Sequence, residues 1–520
     1  MSLSSIDLAI FFAYIIGLIM VAYFVSREKV GHNKNTDDYF LAGHSLPWWA
    51  IGASLIAANI SAEQIIGMSG SGYAIGLAIA SYEWMAAITL IIVGKYFLPI
   101  FLKRKIYTMP QFLEQRYDGR VRNTMAIFWL AVYVFVNLTA VLWLGALAIN
   151  TITALDLTYS MMLLAVLSLT YSLYGGLKAV AFTDIIQVVL LVAGGLFLSY
   201  TSINMIGEGQ GLLSGFDRLT DELPEKFDMI LSPENPHYMS LPGLSVLLGG
   251  MWVMNLSYWG FNQYIIQRTL AAKDLAEAQK GIAFAAFLKL LMPVIVVLPG
   301  IAAVILLPDL AKPDQAYPNL MNIMPVGLKG LIFAALVAAI LSSLASMTNS
   351  IATIFTMDLY KQKKPDESQH HYVLVGRIVS FIALCIALFT AKPLLGDSEQ
   401  AFQYIQEFTG FFTPGIVVLF LLGMFWKKTT ANAALAAAVG SAILSLLFKV
   451  LLPDVPFMDR VGLVFVGCMA AAIAVTLMQN PEEHVAAVQL DDVNFQTKTS
   501  FNVSALLVTL ILTAFYTTWW

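Results

Sequence analysis

Fourteen apolar stretches recur along this chain of 520 residues, and each is long enough to cross a lipid bilayer as a helix. About 20 helical residues, rising about 1.5 Å each, span a hydrocarbon core of about 30 Å. Hydrophobic residues make up 59% of the chain and charged residues 12%, with a mean hydropathy of +0.76, which excludes a water-soluble globular protein. We therefore predict an all-α polytopic membrane protein with about 14 transmembrane helices, at 8–25, 46–71, 76–102, 123–150, 158–175, 180–206, 241–267, 281–306, 330–360, 372–391, 400–426, 429–449, 457–478 and 500–519.

Several function classes are disfavoured by the composition. A net charge of −4 gives no indication of nucleic-acid binding, and the six histidines all lie outside the middles of the apolar stretches, which argues against a haem-carrying bundle. Cys385 and Cys468 fall inside apolar stretches and are predicted to be small buried hydrophobic residues. No basic segment precedes residues 8–25, and Arg27 and Lys29 follow them, so this stretch predicts a membrane helix and not a cleaved signal peptide.

The second apolar stretch has a polar centre. Between Leu46 and Met68 the run from Ala57 to Gln64 includes Asn59, Ser61 and Glu63. An ionisable side chain at mid-membrane costs at least about 2.5–3.5 kcal/mol, so such residues normally face a cavity or a transport pathway. An interrupted apolar helix with polar groups at its break is the expected place for a transporter to hold an ion and a solute.

A second stretch of this kind occurs much later in the chain. The run from Asn255 to Gly260 interrupts the apolar residues 242–272. Two interrupted helices far apart in one chain indicate a binding site between two structural repeats. The acidic, Pro-containing segment 207–240 between them is predicted to contain only short helices.

The distribution of Lys and Arg predicts the orientation. The loops around 27–34, 103–122, 178, 268–280, 361–364, 427–428 and 498 carry more than twice as many basic residues as the alternate loops. Because basic loops stay in the cytoplasm, both termini are predicted to lie outside the cell. The acidic loop 479–499 contributes only Lys498 to this assignment.

Two of the charged residues within apolar stretches, Glu83 and Lys289, each have a structural and a functional interpretation. Glu83 is either a hydrogen-bonded carboxylate near the outer surface or an acceptor for sugar hydroxyls, with Tyr82 and Trp84 beside it to stack on a pyranose ring. Lys289 lies more than two turns from the nearer membrane edge, which favours a place in a polar cavity over a side chain that reaches the interface.

A hydroxyl-rich run and a buried acid complete the candidate set. The run from Ala339 to Ser346 places small and hydroxyl residues at helical spacing, which is typical of close helix packing or of a site for a hard cation such as Na⁺. Asp184 follows Thr183 at the start of an apolar stretch. It either stabilises the helix N-terminus or forms a carboxylate on the route of the ion.

Motifs along almost the whole chain carry a family resemblance. They are Asp38–Gly43, Ala57–Gly72, Ser81–Trp84, Tyr174–Gly176 with Thr183–Asp184, Asn255–Arg268, Ala339–Ser350 and Phe402–Glu407. Together they make the chain resemble the sodium/solute symporter family, and within it the bacterial sodium/galactose cotransporters related to sodium/glucose cotransporters.

This resemblance implies an inverted five-plus-five helix core of the LeuT type, with one helix before it and three after. Residues 1–45 would hold the additional N-terminal helix and a cytoplasmic loop, 46–206 the first repeat, 207–240 a loop outside, 241–426 the second repeat and 427–520 the accessory helices. The chain would lie in the inner membrane of a bacterium.

The resemblance also implies site residues. The sugar would be held by Gln64, Glu83, Asn255, Lys289 and Gln406, with Asn59 close by. Met68, Tyr82 and Phe402 would form the outer gate and Tyr258 the inner gate. Na⁺, the coupling ion, would be coordinated by the carbonyls of Ala57, Ile60 and Ala339 and the hydroxyls of Ser342 and Ser343, with Asp184 on its route inward.

One position departs from the pattern of the galactose-transporting relatives. They have Ser where this chain has Ala86, which removes one hydroxyl partner of the sugar and leaves open which hexose, galactose or glucose, is preferred. We expect Na⁺-coupled uptake of a hexose by alternating access, with sugar, sodium and the lipid bilayer as the partners. The sequence shows no combination of a nucleophile and a general base typical of an active site, so we do not expect an enzyme. A symporter of another small polar solute, driven by Na⁺ or H⁺, and a solute sensor of the same fold remain alternatives.

Overall fold

The computed structural model describes residues 3–26, 44–106, 108–174, 177–398, 400–479 and 482–520, and within these ranges the chain is helical with no strand beyond one isolated bridge. Two of the motifs, Asp38–Gly43 and Gly175–Gly176, lie outside the described residues. The helices are α1 Ser5–Ser26, α2 Trp48–Asn59, α3 Glu63–Ala74, α4 Leu77–Arg104, α5 Met109–Arg116, α6 Gly119–Thr153, α7 Leu157–Tyr174, α8 Leu177–Ile206, α9 Leu212–Glu222, α10 Leu244–Leu248, α11 Gly250–Leu256, α12 Gln263–Leu270, α13 Leu275–Leu306, α14 Ala316–Leu320, α15 Leu328–Lys363, α16 Gln369–Leu395, α17 Ala401–Thr409, α18 Thr413–Phe425, α19 Ala431–Leu451, α20 Phe457–Gln479 and α21 Thr499–Thr518.

Among the described residues, nine helices are long and apolar enough to cross a membrane, and two bent helix pairs raise the number to eleven. The three other predicted spans fall on α1, on α7 and on the interrupted series α10–α12. The chain is thus a multi-pass membrane protein. The short α9 is the longest helix of 207–240, as the sequence predicts for that segment.

The predicted break of the second span is present. Helix α2 ends at Asn59, and its axis meets that of α3 at 62°. In a continuous helix Ser61 N would donate to Ala57 O, whereas here it donates to Asn59 O at 2.8 Å. The Ala57 carbonyl is therefore released from the helical ladder.

The second predicted break lies slightly later than the polar run itself. Helix α11 continues through a π-helical turn at Ser257–Phe261, and Asn262 is extended, with φ −78° and ψ 124°. Helix α12 begins at the next residue. The polar side chains therefore precede the break by a turn, since the π-helical turn extends the helix beyond Gly260.

A third break was not predicted. The stretch 400–426, expected as one span, is a pair in which α17 and α18 meet at 46°. Pro414 is the second residue of α18, where its missing N–H costs nothing, and the chain bends at Thr409–Phe412 before it. The hydrophobicity of the flanking residues hides this bend from a hydropathy pattern.

Burial separates the interior helices from those that face lipid. In α15, 83% of the most apolar window is buried inside the protein, whereas in α21 only 17% is. Helix α13 packs against α2 and α4, and α15 packs against α2, α6 and α8. The broken α2–α3 therefore lies at the centre, and the apolar surfaces of α16 and α19–α21 face the membrane.

Candidate functional site

A cavity of about 80 Å³ lies between the broken helices and is lined mainly by polar and aromatic side chains. All six residues predicted to hold the sugar line it, although they come from α2, α3, α4, α11, α13 and α17. The further lining residues are Glu63, Tyr82, Ala86, Asn137, Met254, Ser257, Tyr258, Trp259, Asn262, Phe402, Ile405, Thr409 and Thr413. The tertiary structure thus gathers the predicted set in one place.

A buried ion pair dominates the electrostatics of this cavity. Lys289 is fully buried, and its Nζ donates to Glu83 Oε2 at 2.5 Å and to Asn59 Oδ1. The ammonium also lies 4.9 Å from the centre of the Trp259 ring, a cation–π distance. A buried charge is tolerated when it is paired and hydrogen-bonded, and both conditions are met here.

Two acceptors in the cavity wall stand out. No donor among the described residues reaches Gln64 Oε1 or Glu63 Oε1, although both side chains are more than 90% buried. Buried acceptors are normally paired, so these two indicate a place where donors from a bound solute are received. Asn255 Nδ2, in contrast, donates to Met251 O one turn earlier in its own helix.

Two aromatic rings form part of the cavity wall. The rings of Tyr82 and Phe402 meet edge to face, with centroids 5.1 Å apart. Met68 is fully buried and does not line the cavity. Two of the three predicted outer-gate residues, Tyr82 and Phe402, thus touch each other in the cavity wall.

Another part of the cavity wall carries a chain of hydrogen-bonded hydroxyl and amide groups. Tyr258 Oη accepts from Asn59 Nδ2 and from Tyr264 Oη, both at 3.1 Å, and Tyr133 Oη donates to Asn262 Oδ1 at 2.8 Å. Through Asn59 this chain connects the predicted inner-gate tyrosine to Lys289. A change in the cavity can therefore reach Tyr258 through hydrogen bonds.

The predicted ion ligands lie where α2 breaks and α15 passes. Ala57, Ile60, Ala339, Ser342 and Ser343 are all buried. Ser342 Oγ donates to Asp184 Oδ1 at 2.8 Å, while Ser343 Oγ is buried with no partner in the described part of the chain. Within that same part, no group of three or more His, Cys, Asp and Glu side chains could hold a metal ion. The oxygens available as ligands belong to backbone carbonyls and serine hydroxyls, which suit a hard monovalent cation.

Asp184 is the eighth residue of α8, which begins at Leu177, so the interpretation as a helix N-terminus residue is wrong, and the side chain belongs instead to a buried network. Its Oδ2 accepts from Ser54 Oγ at 3.2 Å and lies 3.6 Å from Nη2 of Arg268, which also donates to Ser54 Oγ through Nε. This network joins α8, α2, α12 and α15 next to Ser342.

Some lining residues were assigned no role from the sequence. Glu63 lies next to Gln64 in the polar break, and Asn137 is a polar residue in the middle of an apolar stretch, which is the signal that could have identified both. Trp259 and Thr409 carry no such signal, because aromatic and threonine residues are common in membrane helices.

Comparison with known proteins agrees with this architecture. The model of the sodium:solute symporter family matches residues 39–440. The chain is 53% identical to a sodium/glucose cotransporter of Vibrio parahaemolyticus over 100% of this chain and 99% of the relative. It is 33% identical to sodium/myo-inositol cotransporter 2 of Mus musculus, over 86% of this chain and 71% of the relative.

Solved structures show the same fold. A Na⁺-coupled sialic acid symporter in a substrate-bound outward-open state has a TM-score of 0.79 and 23% identity, over 93% of this chain and 99% of that chain. Mhp1, a transporter of the nucleobase-cation-symport-1 family, has a TM-score of 0.55 and 13% identity, over 86% and 96%. The relatives are transporters and not enzymes. The chain belongs to the sodium:solute symporter family.

Proposed function

We propose that this protein is a secondary active transporter that couples the entry of Na⁺ to the uptake of a hexose, galactose or glucose. The observation that carries the proposal is the cavity in which six polar residues from six helices meet, with two unpaired acceptors, Gln64 Oε1 and Glu63 Oε1, in its wall. A polyhydroxylated ring offers both donors and acceptors, which match the carboxylate, amide and ammonium groups of this wall. The 53% identical Vibrio relative is named as a sodium/glucose cotransporter, which supports a hexose.

In the proposed complex, Gln64, Glu83, Asn255, Lys289 and Gln406 bind sugar hydroxyls. Tyr258 stacks below the ring as the inner gate, and Asn59 holds Tyr258 in place through the hydrogen bond described above. Met68, Tyr82 and Phe402 close over the sugar. Since Ala86 lines the cavity without a hydroxyl, the preference between hexoses depends on the remaining polar groups.

The proposed ion site uses the released Ala57 carbonyl, the carbonyls of Ile60 and Ala339, and the hydroxyls of Ser342 and Ser343. Asp184 lies next to it and leads the ion inward. Because the ion ligands span the break of α2 and the neighbouring α15, Na⁺ favours the conformation in which these helices approach each other. A ligand shifts the equilibrium only through its different affinity for the two states.

The energy for accumulation comes from the ion. One Na⁺ that enters across about 100 mV supplies roughly 2.3 kcal/mol. At about 1.36 kcal/mol per factor of ten, this alone sustains about fifty-fold accumulation of sugar. A sodium concentration gradient adds to that value.

For the fold, we propose fourteen spans, with inverted repeats at 46–206 and 241–426, one helix within 1–45, a loop at 207–240 and accessory helices within 427–520. The two breaks at Asn59–Glu63 and Asn262 open the two proposed repeats, which supports the assignment. We further propose that both termini lie outside, in the inner membrane of a bacterium.

A cyclic polyol is the second candidate substrate, because several relatives at 33–35% identity are named as sodium/myo-inositol cotransporters. The decisive experiment measures uptake of labelled galactose, glucose and myo-inositol into proteoliposomes with an imposed Na⁺ gradient, and again with an H⁺ gradient in Na⁺-free buffer. We expect accumulation of a hexose with Na⁺ only. Sugar binding without accumulation would identify a sensor, and equal accumulation with H⁺ alone would contradict sodium coupling.

The ion site has its own test. Ser343→Ala removes a proposed ligand without added bulk, so we expect a large rise in the Na⁺ concentration for half-maximal uptake while the protein stays folded. Ser350→Ala, a buried serine two turns along the same helix, is the matched control. If Ser343 only packs, both variants will show the wild-type sodium titration.

A further inference from the structure

Asp314 occupies a junction outside the cavity that the proposed mechanism does not use. It lies in a 3-10 turn, Pro313–Gln315, in the connection between α13 and α15. Only 2% of the residue is exposed to solvent. Its Oδ2 accepts a hydrogen bond of 3.0 Å from the backbone N–H of Ala401, the first residue of α17. A carboxylate at this position caps the helix that carries Phe402 and Gln406.

The same residue is pressed against α3. A methyl group added at Gly70 would lie 2.3 Å from Asp314 Oδ1 and 2.8 Å from its Cα, so only glycine permits this approach. Ser71 of α3 donates to Gln400 Oε1 at 3.2 Å, immediately before α17. Asp314 thus touches the outer arms of two bent helices, α2–α3 and α17–α18, at once.

A second set of hydrogen bonds, made by Lys312, holds the turn itself. Lys312 Nζ donates to Gly396 O at 2.6 Å and to Ser398 O at 3.3 Å, at the end of α16 and just before α17. Asp314 in the turn and Lys312 just before it therefore both bind the segment that leads into α17. Movement of α17 away from α3 and from the turn packed on α3 would break the bond between Asp314 and Ala401.

We propose that Asp314 is a positioning residue that latches the outer gate, by holding the N-terminus of α17 against α3 so that Phe402 stays over Tyr82. The inference rests on the proposed transport cycle, in which α17 must leave this position to admit solute from outside. When the latch is removed, the closed-outside state loses stability relative to the outward-open state. A population shift of this kind changes apparent affinities without a change in the binding site.

The charge around Asp314 makes the latch sensitive to pH. Burial raises the pKa of its carboxyl to about 7, against the opposing effects of the Ala401 N–H and of Lys312. The helices packed on the turn are α3, α14 and the Thr139–Thr153 part of α6. Their only charged residue is Glu63, which faces the cavity. Glu407, the only charged residue of α17, is paired with Lys449 and Arg460.

The direction of the pH effect follows from linkage. Once the gate opens and exposes the carboxyl, its pKa falls towards the ordinary value of about 4. Between these two values the closed state binds more protons, so acid outside favours closure by up to about tenfold per pH unit below pH 7. As the pH rises through 7 this advantage is lost.

The test compares Asp314→Ala, Asp314→Asn and the control Asp309→Ala, an exposed acid in the same loop. Hydrogen exchange of residues 401–409 in lipid nanodiscs reports the latch without any substrate. We expect Asp314→Ala to raise that exchange at least tenfold, with α6 unchanged, and to lower several-fold the external Na⁺ concentration for half-maximal uptake. Asp314→Asn retains an acceptor for Ala401 N and should restore both values.

The pH profile separates positioning from mere packing. In the wild type, the half-maximal Na⁺ concentration should rise between external pH 7.5 and 5.5, whereas Asp314→Asn should show a flat profile. Unchanged exchange in Asp314→Ala, an equal effect of Asp309→Ala, or a wild-type pH slope in Asp314→Asn would each overturn the latch. Because hydrogen exchange needs no sugar, a failure of the latch is distinguishable from a failure of the proposed transport.

Discussion

At the scale of single residues, the pair formed by Lys289 and Glu83 ties stability to solute recognition. Both side chains are buried, and their separation of 2.5 Å leaves the ammonium dependent on this one carboxylate. Loss of one partner of a buried ion pair costs about 3–5 kcal/mol, because the other charge stays buried and unpaired. Replacement of both partners by apolar groups is often neutral.

Glu83→Ala should therefore lower the thermal stability strongly and abolish sugar uptake. The double variant Glu83→Ala/Lys289→Met should recover most of the stability and none of the uptake, since the hydroxyl partners are still missing. Thermal unfolding in detergent and uptake into proteoliposomes measure the two effects separately. Recovery of uptake in the double variant would show that neither residue contacts the solute.

At the scale of helices, the bend between α17 and α18 is supported from outside the pair. Ser441 and Ser445, one turn apart on α19, both donate through Oγ to Phe411 O, at 2.8 and 3.2 Å. In lipid no water can satisfy a carbonyl released at a bend, so these hydroxyls stabilise it. The accessory helix α19 thus contributes to the shape of the gate helix.

Because two serine hydroxyls donate to the same carbonyl, we expect their contributions to the unfolding free energy to be non-additive. Ser441→Ala and Ser445→Ala should each have a small effect on stability, because Phe411 O keeps one donor. The double variant leaves this half-buried carbonyl unpaired and should lose about 1–3 kcal/mol, more than the two single effects combined. A double-mutant cycle of unfolding free energies provides the measurement, and strictly additive effects would show that the two bonds are independent of each other.

At the scale of the whole molecule, several contacts join segments that the basic residues assign to the same side of the membrane. Arg104 donates to the carbonyls of Ala486 and Ala487, and His484 N donates to Lys427 O, so three loops expected inside meet each other. Met229 N donates to Trp519 O, which joins the 207–240 loop and the C-terminus, both expected outside.

Labelling with a membrane-impermeant maleimide tests which face is outside. In a background with Cys385→Ala and Cys468→Ala, we expect Thr518→Cys to react in intact spheroplasts and Lys363→Cys to react only after lysis, because both positions are exposed. The reverse pattern would invert the proposed orientation.

Hydropathy and local polarity by themselves determined much of this protein. The helical class, the break at Asn59–Glu63 and the interruption near Asn262 follow from residues close together in the chain, because a helix in lipid must satisfy its own backbone and exclude charge. The bend between α17 and α18 escaped notice, since the bonds that stabilise it come from α19, far away in the sequence.

Only the tertiary structure decided which polar groups meet. Lys289 pairs with Glu83, Asp184 joins Arg268, and Asp314 caps α17, and each of these contacts joins segments separated by 84 to 206 residues. No local pattern encodes such contacts, because they depend on how whole helices pack. The sequence determined where polar residues interrupt the membrane helices, and the packing of those helices determined their partners.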